Sequence, residues 1–265
     1  MLTNNFVRLV KSLKTKKGRI RSGCFLAEGP KVIKDMMNRY EVETLVATKA
    51  WIEANGRQFI NPDTEVVTVK QVELEKLSFL QTPQDVMAIM RIPNWVYGLD
   101  PTAAGKGDID YSYLGQRLSL VLDGVQDPGN MGTIIRIADW YGISNIFCSS
   151  DTADIYNPKV VQAAMGSLGR VNVSYTDLVA LVDQSERKGI PVFVTVLDGE
   201  NIYESNLSGV GLIVMGNEGN GISQSIRDTA SRKLLIPNFH EGEHAESLNV
   251  AVATAIVCSE FKRRI

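Results

Sequence analysis

From residue 118 to the end, short apolar runs alternate with helical stretches, and that rhythm leaves few folds open to the chain. The runs LSLVLDG (118–124), NIFCSS (145–150), RVNVS (170–174), PVFVTVLDG (191–199), GLIVMG (211–216) and KLLIP (233–237) read as strands. Helical patterns occupy 130–142, 158–167, 177–188, the residues after Ser223, and 247–264. Strands that are apolar on both faces need cover on both faces, which a mostly parallel sheet between two helix layers provides. The expected fold class is therefore α/β, with this sheet filling a domain over 117–265. Residues 1–95 read as a smaller α/β unit: a basic helical start, strands near 24–26, 44–47, 66–69 and 86–90, and helices over 30–39 and 72–80. Between them, 96–116 carries Gly, Pro, Asp and Tyr without periodicity, as a linker does.

With 265 residues and a formal net charge of −2, the protein is no polycation that would coat nucleic acid indiscriminately. Its positive charge is local. Residues 1–27 hold no acidic side chain, while Arg8, Lys11, Lys14, Lys16, Lys17, Arg19 and Arg21 crowd together. Such a cluster suits phosphate contacts, and a solvated terminus would have the same composition. Cys24, Cys148 and Cys258 are odd in number and form no CxxC pair, so neither a disulfide framework nor a zinc ribbon is indicated and a reducing cytoplasm fits. No apolar run approaches the roughly 20 residues that span a bilayer, so no membrane partner is expected.

Three turns follow strand-like runs in the second half, and each carries small, hydrogen-bonding residues of the kind that meet a ligand at the carboxyl ends of strands. The first, at 127–136, opens a helix whose free amides could face an anion, with Asn130, Thr133 and Arg136 on one face and Ile134, Ile135, Ile137 and Ala138 toward the core. A capped core helix would also account for it. The second, Gly216-Asn217-Glu218-Gly219-Asn220-Gly221-Ile222-Ser223, places Ile222 where a phosphate loop needs lysine, which argues against nucleotide hydrolysis. Its glycines would let backbone approach a flat ligand, and Glu218 sets a carboxylate at that edge. A tight strand-to-helix loop is the plain alternative.

In the third turn, His240-Glu241-Gly242-Glu243-His244 spells HExxH, but Pro237 upstream and Gly242 inside it oppose the continuous helix that a zinc protease needs, so no metal is expected. Ser247, Leu248 and Asn249 then open a last helix that is apolar nearly all round and is expected to be buried. Polar residues entering such a helix need partners, either backbone or a ligand.

Taken together, NxGxxxR at Asn130, Gly132 and Arg136, GxExxG at Gly216, Glu218 and Gly221, and IP…SLNVAVA over 236–253 resemble the three signature motifs of the SpoU/TrmH RNA ribose methyltransferases. FLAEGPKVI (25–33) and TPQDVMAIM (82–90) look like that family's ribosomal-protein-like substrate-binding domain. The resemblance implies a deep trefoil knot in the C-terminal domain and a homodimer. It implies S-adenosylmethionine as cofactor, held by Gly216, Ile236 and Leu248 with Asn217 and Gly221. It assigns Arg136, Asn130, Glu218, Ser247 and Asn249 to the reacting ribose and methyl, and it makes the substrate RNA, not DNA, because only RNA carries the 2′-OH. The basic segment adds Lys14, Lys16, Lys17, Arg19 and Arg21 as RNA contacts and favours ribosomal RNA. A transfer RNA ribose methyltransferase and a non-catalytic RNA-binding or ribosome assembly factor of the same fold are the alternatives. The spacer between Pro237 and Ser247 is longer than the family pattern, so adenine-side contacts are the part of the resemblance that fits least.

Overall fold

The structure is a computed structural model, and it describes residues 2–93, 109–243 and 245–264. Its contacts divide the chain into two compact units, Met1–Gly107 with Asp154–Arg170, and Asp108–Ala153 with Val171–Ile265. Most of the expected linker lies outside the described residues.

The chain opens with α1 (Asn4–Ser12) and α2 (Lys16–Ser22), whose N-caps Thr3 and Thr15 each accept a backbone amide on the side-chain oxygen. Then come β1 (Cys24–Glu28), α3 (Pro30–Met36), β2 (Val42–Thr48), α4 (Lys49–Asn55), β3 (Glu65–Val69), α5 (Gln71–Leu77) and β4 (Val86–Arg91). These strands form a four-stranded sheet of order β1-β4-β2-β3. β4 runs antiparallel to β1 and β2, while β2 and β3 are parallel. Leu26, Val46, Met87 and Ile89 pack with Val10 and Leu13 of the opening helices and Leu74 and Leu77 of α5. The sequence pattern did not announce α4, which is 7 residues long and fully buries none of them; Thr48 starts it as N-cap.

The chain continues through α6 (Tyr111–Leu114), β5 (Leu118–Leu122), α7 (Pro128–Trp140), β6 (Asn145–Cys148) and α8 (Pro158–Ala164). Asp154–Arg170, which includes α8, belongs with the first unit. A single division near residue 116 therefore does not describe how the residues group. The cause lies in specific partners. Arg19 is 2% exposed, and its guanidinium donates to Asp154 Oδ2 at 2.6 Å and to the Leu13 carbonyl at 2.8 Å. Tyr156 packs its ring 4.7 Å from that of Phe25 and 6.0 Å from that of Tyr40. A buried guanidinium needs both charge and carbonyl partners, so Arg19, expected among the RNA-binding cations, is occupied inside the fold.

The second unit is completed by β7 (Asn172–Tyr175), α9 (Leu178–Arg187), β8 (Val192–Asn201), β9 (Gly211–Met215), α10 (Gln224–Thr229), β10 (Arg232–Leu235) and α11 (Val250–Arg263). Its six strands have the order β10-β8-β9-β5-β6-β7, with every neighbouring pair parallel. β5, β6 and β7 step outward in one direction, and β8 to β10 lie on the other side of β5. Loops leaving β5 and β9 therefore diverge, which opens a crevice at their carboxyl ends. Leu114 of α6, within the expected linker span, is 1% exposed and packs in this unit's core. α11 also differs from expectation: it begins at Val250, and Val252 is 50% exposed, so one face looks outward. Among the described residues, no helix is long and apolar enough to cross a membrane.

Candidate active site

The turn after β5 is set by Asp127, which caps α7 by accepting the Asn130 amide at 2.8 Å, with Pro128 in the first helical position. Because Asp127 takes the capping role, the Asn130 side chain is released for something else. Its Nδ2 donates to Glu218 Oε1 at 2.9 Å, and its Oδ1 accepts from Asn249 Nδ2 at 3.0 Å. Met131, Ile134, Ile135 and Ala138 bury the inner face of α7, while Thr133, Arg136 and Trp140 are exposed. Arg136 stands six residues beyond Asn130, about 9 Å along the helix axis, and has no hydrogen-bond or ion-pair partner among the described residues.

After β9, the backbones of Asn217 and Gly221 exchange hydrogen bonds of 2.9 and 3.0 Å. A side chain on Gly216 would place its Cβ 2.4 Å from the Gly221 carbonyl carbon, and Gly221 itself has φ of +68°, so both positions require glycine. The Asn217 Oδ1 accepts from the amides of Gly219 and Asn220 at 2.9 Å each, and its Nδ2 donates to the Gly124 carbonyl at 2.6 Å. Asn217, expected to bind cofactor, thus has both side-chain atoms bonded to the turn and to the end of β5. Glu218 is left projecting from that shaped turn.

The third turn ends at Asn249, which caps α11 by accepting the amides of Ala251 and Val252 at 3.0 and 3.4 Å. Ile236 is half-buried, Ser247 is exposed, and Leu248 is 51% exposed. His240, Glu241 and Glu243 sit in this loop outside any helix, and His244 lies outside the described residues.

The three turns therefore meet through one directed chain of hydrogen bonds, from the Asn249 amide to Asn130 and from Asn130 to the Glu218 carboxylate. Each asparagine is fixed at both ends, so the carboxylate is oriented before any ligand arrives. On the other side of the Gly216 turn, a cleft of about 480 Å³ is lined by Asp123, Ser149, Thr176, Asp177 and Ser223 among others. Asp123, which the sequence did not single out, accepts the Ser223 amide at 2.7 Å and ties the ends of β5 and β9 together. The LVLDG run placed it at a strand end, and only the register of β5 against β9 gives it this task. In the first unit, Lys14, Lys16, Lys17 and Arg21 are exposed.

Residues 117–259 match the SpoU rRNA Methylase family, and residues 4–88 match the MRM3-like substrate binding domain. The chain belongs to the SpoU rRNA methylase family. A solved structure of an RNA methyltransferase of the TrmH family from Porphyromonas gingivalis is 38% identical with a TM-score of 0.84, covering 100% of both chains. An AdoMet-bound rRNA methyltransferase from Sinorhizobium meliloti is 27% identical with a TM-score of 0.82 and covers 100% of this chain and 97% of its own. The curated relative RlmP of Bacillus subtilis (strain 168), named as a 23S rRNA (guanosine(2553)-2′-O)-methyltransferase, is 29% identical over 96% of this chain and 94% of its own length. S-adenosylmethionine is the cofactor of the SpoU family.

Proposed function

We propose that this chain transfers a methyl group from S-adenosylmethionine to a ribose 2′-OH of ribosomal RNA in the cytoplasm. The reading rests on the fixed chain Asn249–Asn130–Glu218, with the exposed Arg136 on the outward side of the same helix. The names of the Bacillus and Sinorhizobium relatives support ribosomal RNA as the substrate. The residues present fit the cofactor. Gly216 offers bare backbone where no side chain has room, Gly221 closes the turn, and Ile236 with the half-exposed Leu248 supplies apolar surface. Asn217 serves by holding the turn in shape. Family membership also supports a trefoil-knotted path for this C-terminal segment.

When bound, the cofactor supplies an electrophilic methyl on a positively charged sulfonium. The protein's own groups then have to position the hydroxyl and remove its proton. Arg136 is unsuited to proton removal, because a guanidinium keeps its proton and its charge in proteins. It instead binds a neighbouring phosphate and stabilises the developing alkoxide. Glu218, oriented by Asn130, takes the proton, while Ser247 and Asn249 contact the ribose. The MRM3-like domain, with Lys14, Lys16, Lys17 and Arg21, selects the RNA. Trp140 on α7 is 85% exposed and Val252 on α11 is 50% exposed, and a second copy of the chain in a homodimer would cover such side chains.

Incubation with methyl-labelled cofactor and separate ribosomal and transfer RNA pools, followed by nucleoside digestion, tests the reading. A labelled 2′-O-methylnucleoside from ribosomal RNA is expected. Label confined to transfer RNA, or to a base, would overturn it.

A further inference from the structure

The loop that delivers Ser247, Leu248 and Asn249 also carries Phe239, which is 82% exposed. Its ring stacks on Tyr203, with centroids 6.5 Å apart and planes at 25°, and Tyr203 is itself 41% exposed. Two aromatic rings inclined by 25°, each with surface still open, do not form a core. The backbone that carries Tyr203 is firmly held. The Tyr203 amide donates to Asn201 Oδ1 at 3.1 Å, and the Ile202 amide donates to the Leu235 carbonyl at 2.9 Å, where β10 ends. Arg264, just past α11, donates to the carbonyls of Ile202, Tyr203 and Ser205 at 3.1, 2.6 and 2.5 Å. Glu260 anchors that guanidinium at 2.7 Å. Hydrogen bonds to Arg263 and Arg264 hold the Glu260 carboxyl down at about 2, so the clamp keeps its charge at neutral pH.

We propose that the Tyr203–Phe239 pair is a ledge on which one base of the RNA substrate stacks, a deepening of the functional reading above that rests on it. Any base offers a flat face to an aromatic ring, and the Tyr203 ring, on a backbone already held, loses little freedom when the base arrives. The charges flanking these rings in sequence, Glu204, Glu241, Glu243 and Glu246, oppose a phosphate backbone and leave the base as the part that can approach. Location agrees with this. β10 lies two strand positions from β9 in the sheet, so the ledge at the end of β10 and the Gly216 turn at the end of β9 belong to strands about 10 Å apart. A nucleotide beside the reacting one can span that interval.

The test uses full-length Phe239→Ala, Tyr203→Ala and Phe239→Trp with a 23S rRNA transcript, read by equilibrium RNA affinity and by the Michaelis constant for RNA. Calorimetry with S-adenosylhomocysteine and sedimentation accompany both. The two alanine variants are expected to weaken rRNA binding about tenfold, with Phe239→Trp close to wild type and cofactor affinity and oligomeric state unchanged. Unchanged rRNA affinity would sink the ledge. So would an equal fall in cofactor affinity, which would assign the rings to the cofactor's adenine, or dissociation of the assembly, which would assign them to a second copy. A wild-type protein that binds rRNA without methylating it would defeat the functional reading, while the binding comparison would still decide the ledge.

Discussion

The two units place their polar groups in opposite ways. In the first, Arg19 is buried against Asp154 and Leu13. Glu28 receives the Ser78 hydroxyl and the Phe79 amide, while burial pushes its carboxyl above the ordinary range. In the second, Asn130, Glu218 and Asn249 bond to one another at an open strand edge, and Arg136 faces outward without a partner among the described residues. A buried ion pair holds a fold in place. An exposed chain of hydrogen bonds that ends in a carboxylate leaves one oxygen of Glu218 without a hydrogen bond among the described residues.

That contrast predicts which substitutions separate activity from stability. The largest effect falls on chemistry: Arg136→Ala should lower kcat about 100- to 1000-fold while the urea midpoint stays where it is. A parallel loss of stability would erase the contrast. Arg19→Ala should do the reverse, lowering the unfolding free energy by about 3 kcal/mol in urea titrations while S-adenosylhomocysteine affinity holds. Asn249→Ala is the intermediate case, because one side chain both caps α11 and tethers Asn130. Stability should drop by about 1 kcal/mol and turnover should drop with it, and a loss of only one of the two would show that the roles are separable. The smallest effect is acid sensitivity. The Glu260 carboxyl is held at about 2 against an ordinary 4.5, so its contribution is full above 4.5 and fades as pH falls toward 2. Glu260→Gln should flatten that limb of the stability profile in an acid titration followed by circular dichroism.

Much of the second unit was legible because β5 and β9 are buried throughout and leave no polar alternation to confuse the reading. α4 was illegible for the opposite reason, since its 7 residues include none that is fully buried. The start of α11 was placed too early because Ser247 and Leu248 look helical in isolation, and only the cap at Asn249 shows where the helix begins. The placement of Asp154–Arg170 could not be read locally, because it depends on Arg19, Phe25 and Tyr40 more than a hundred positions away in sequence. At the site, the meeting of the three turns followed from their strand ends. What did not follow was where each donor and acceptor is used: Asp127 caps in place of Asn130, Asn217 bonds inward, and Arg19 is enclosed. Tyr203 carried no motif, and only the fold brings it to Phe239.

The detour of Asp154–Arg170 bears on how such a protein can be cut or recombined. Removing the N-terminal half at a single point in the gene would strip Asp154 of its arginine and Tyr156 of its two aromatic neighbours, leaving an acid and a phenol with new access to water. A transplant of the first unit onto another SpoU domain must therefore carry two stretches of sequence, and grafts that carry only the first should come out of cells as aggregates.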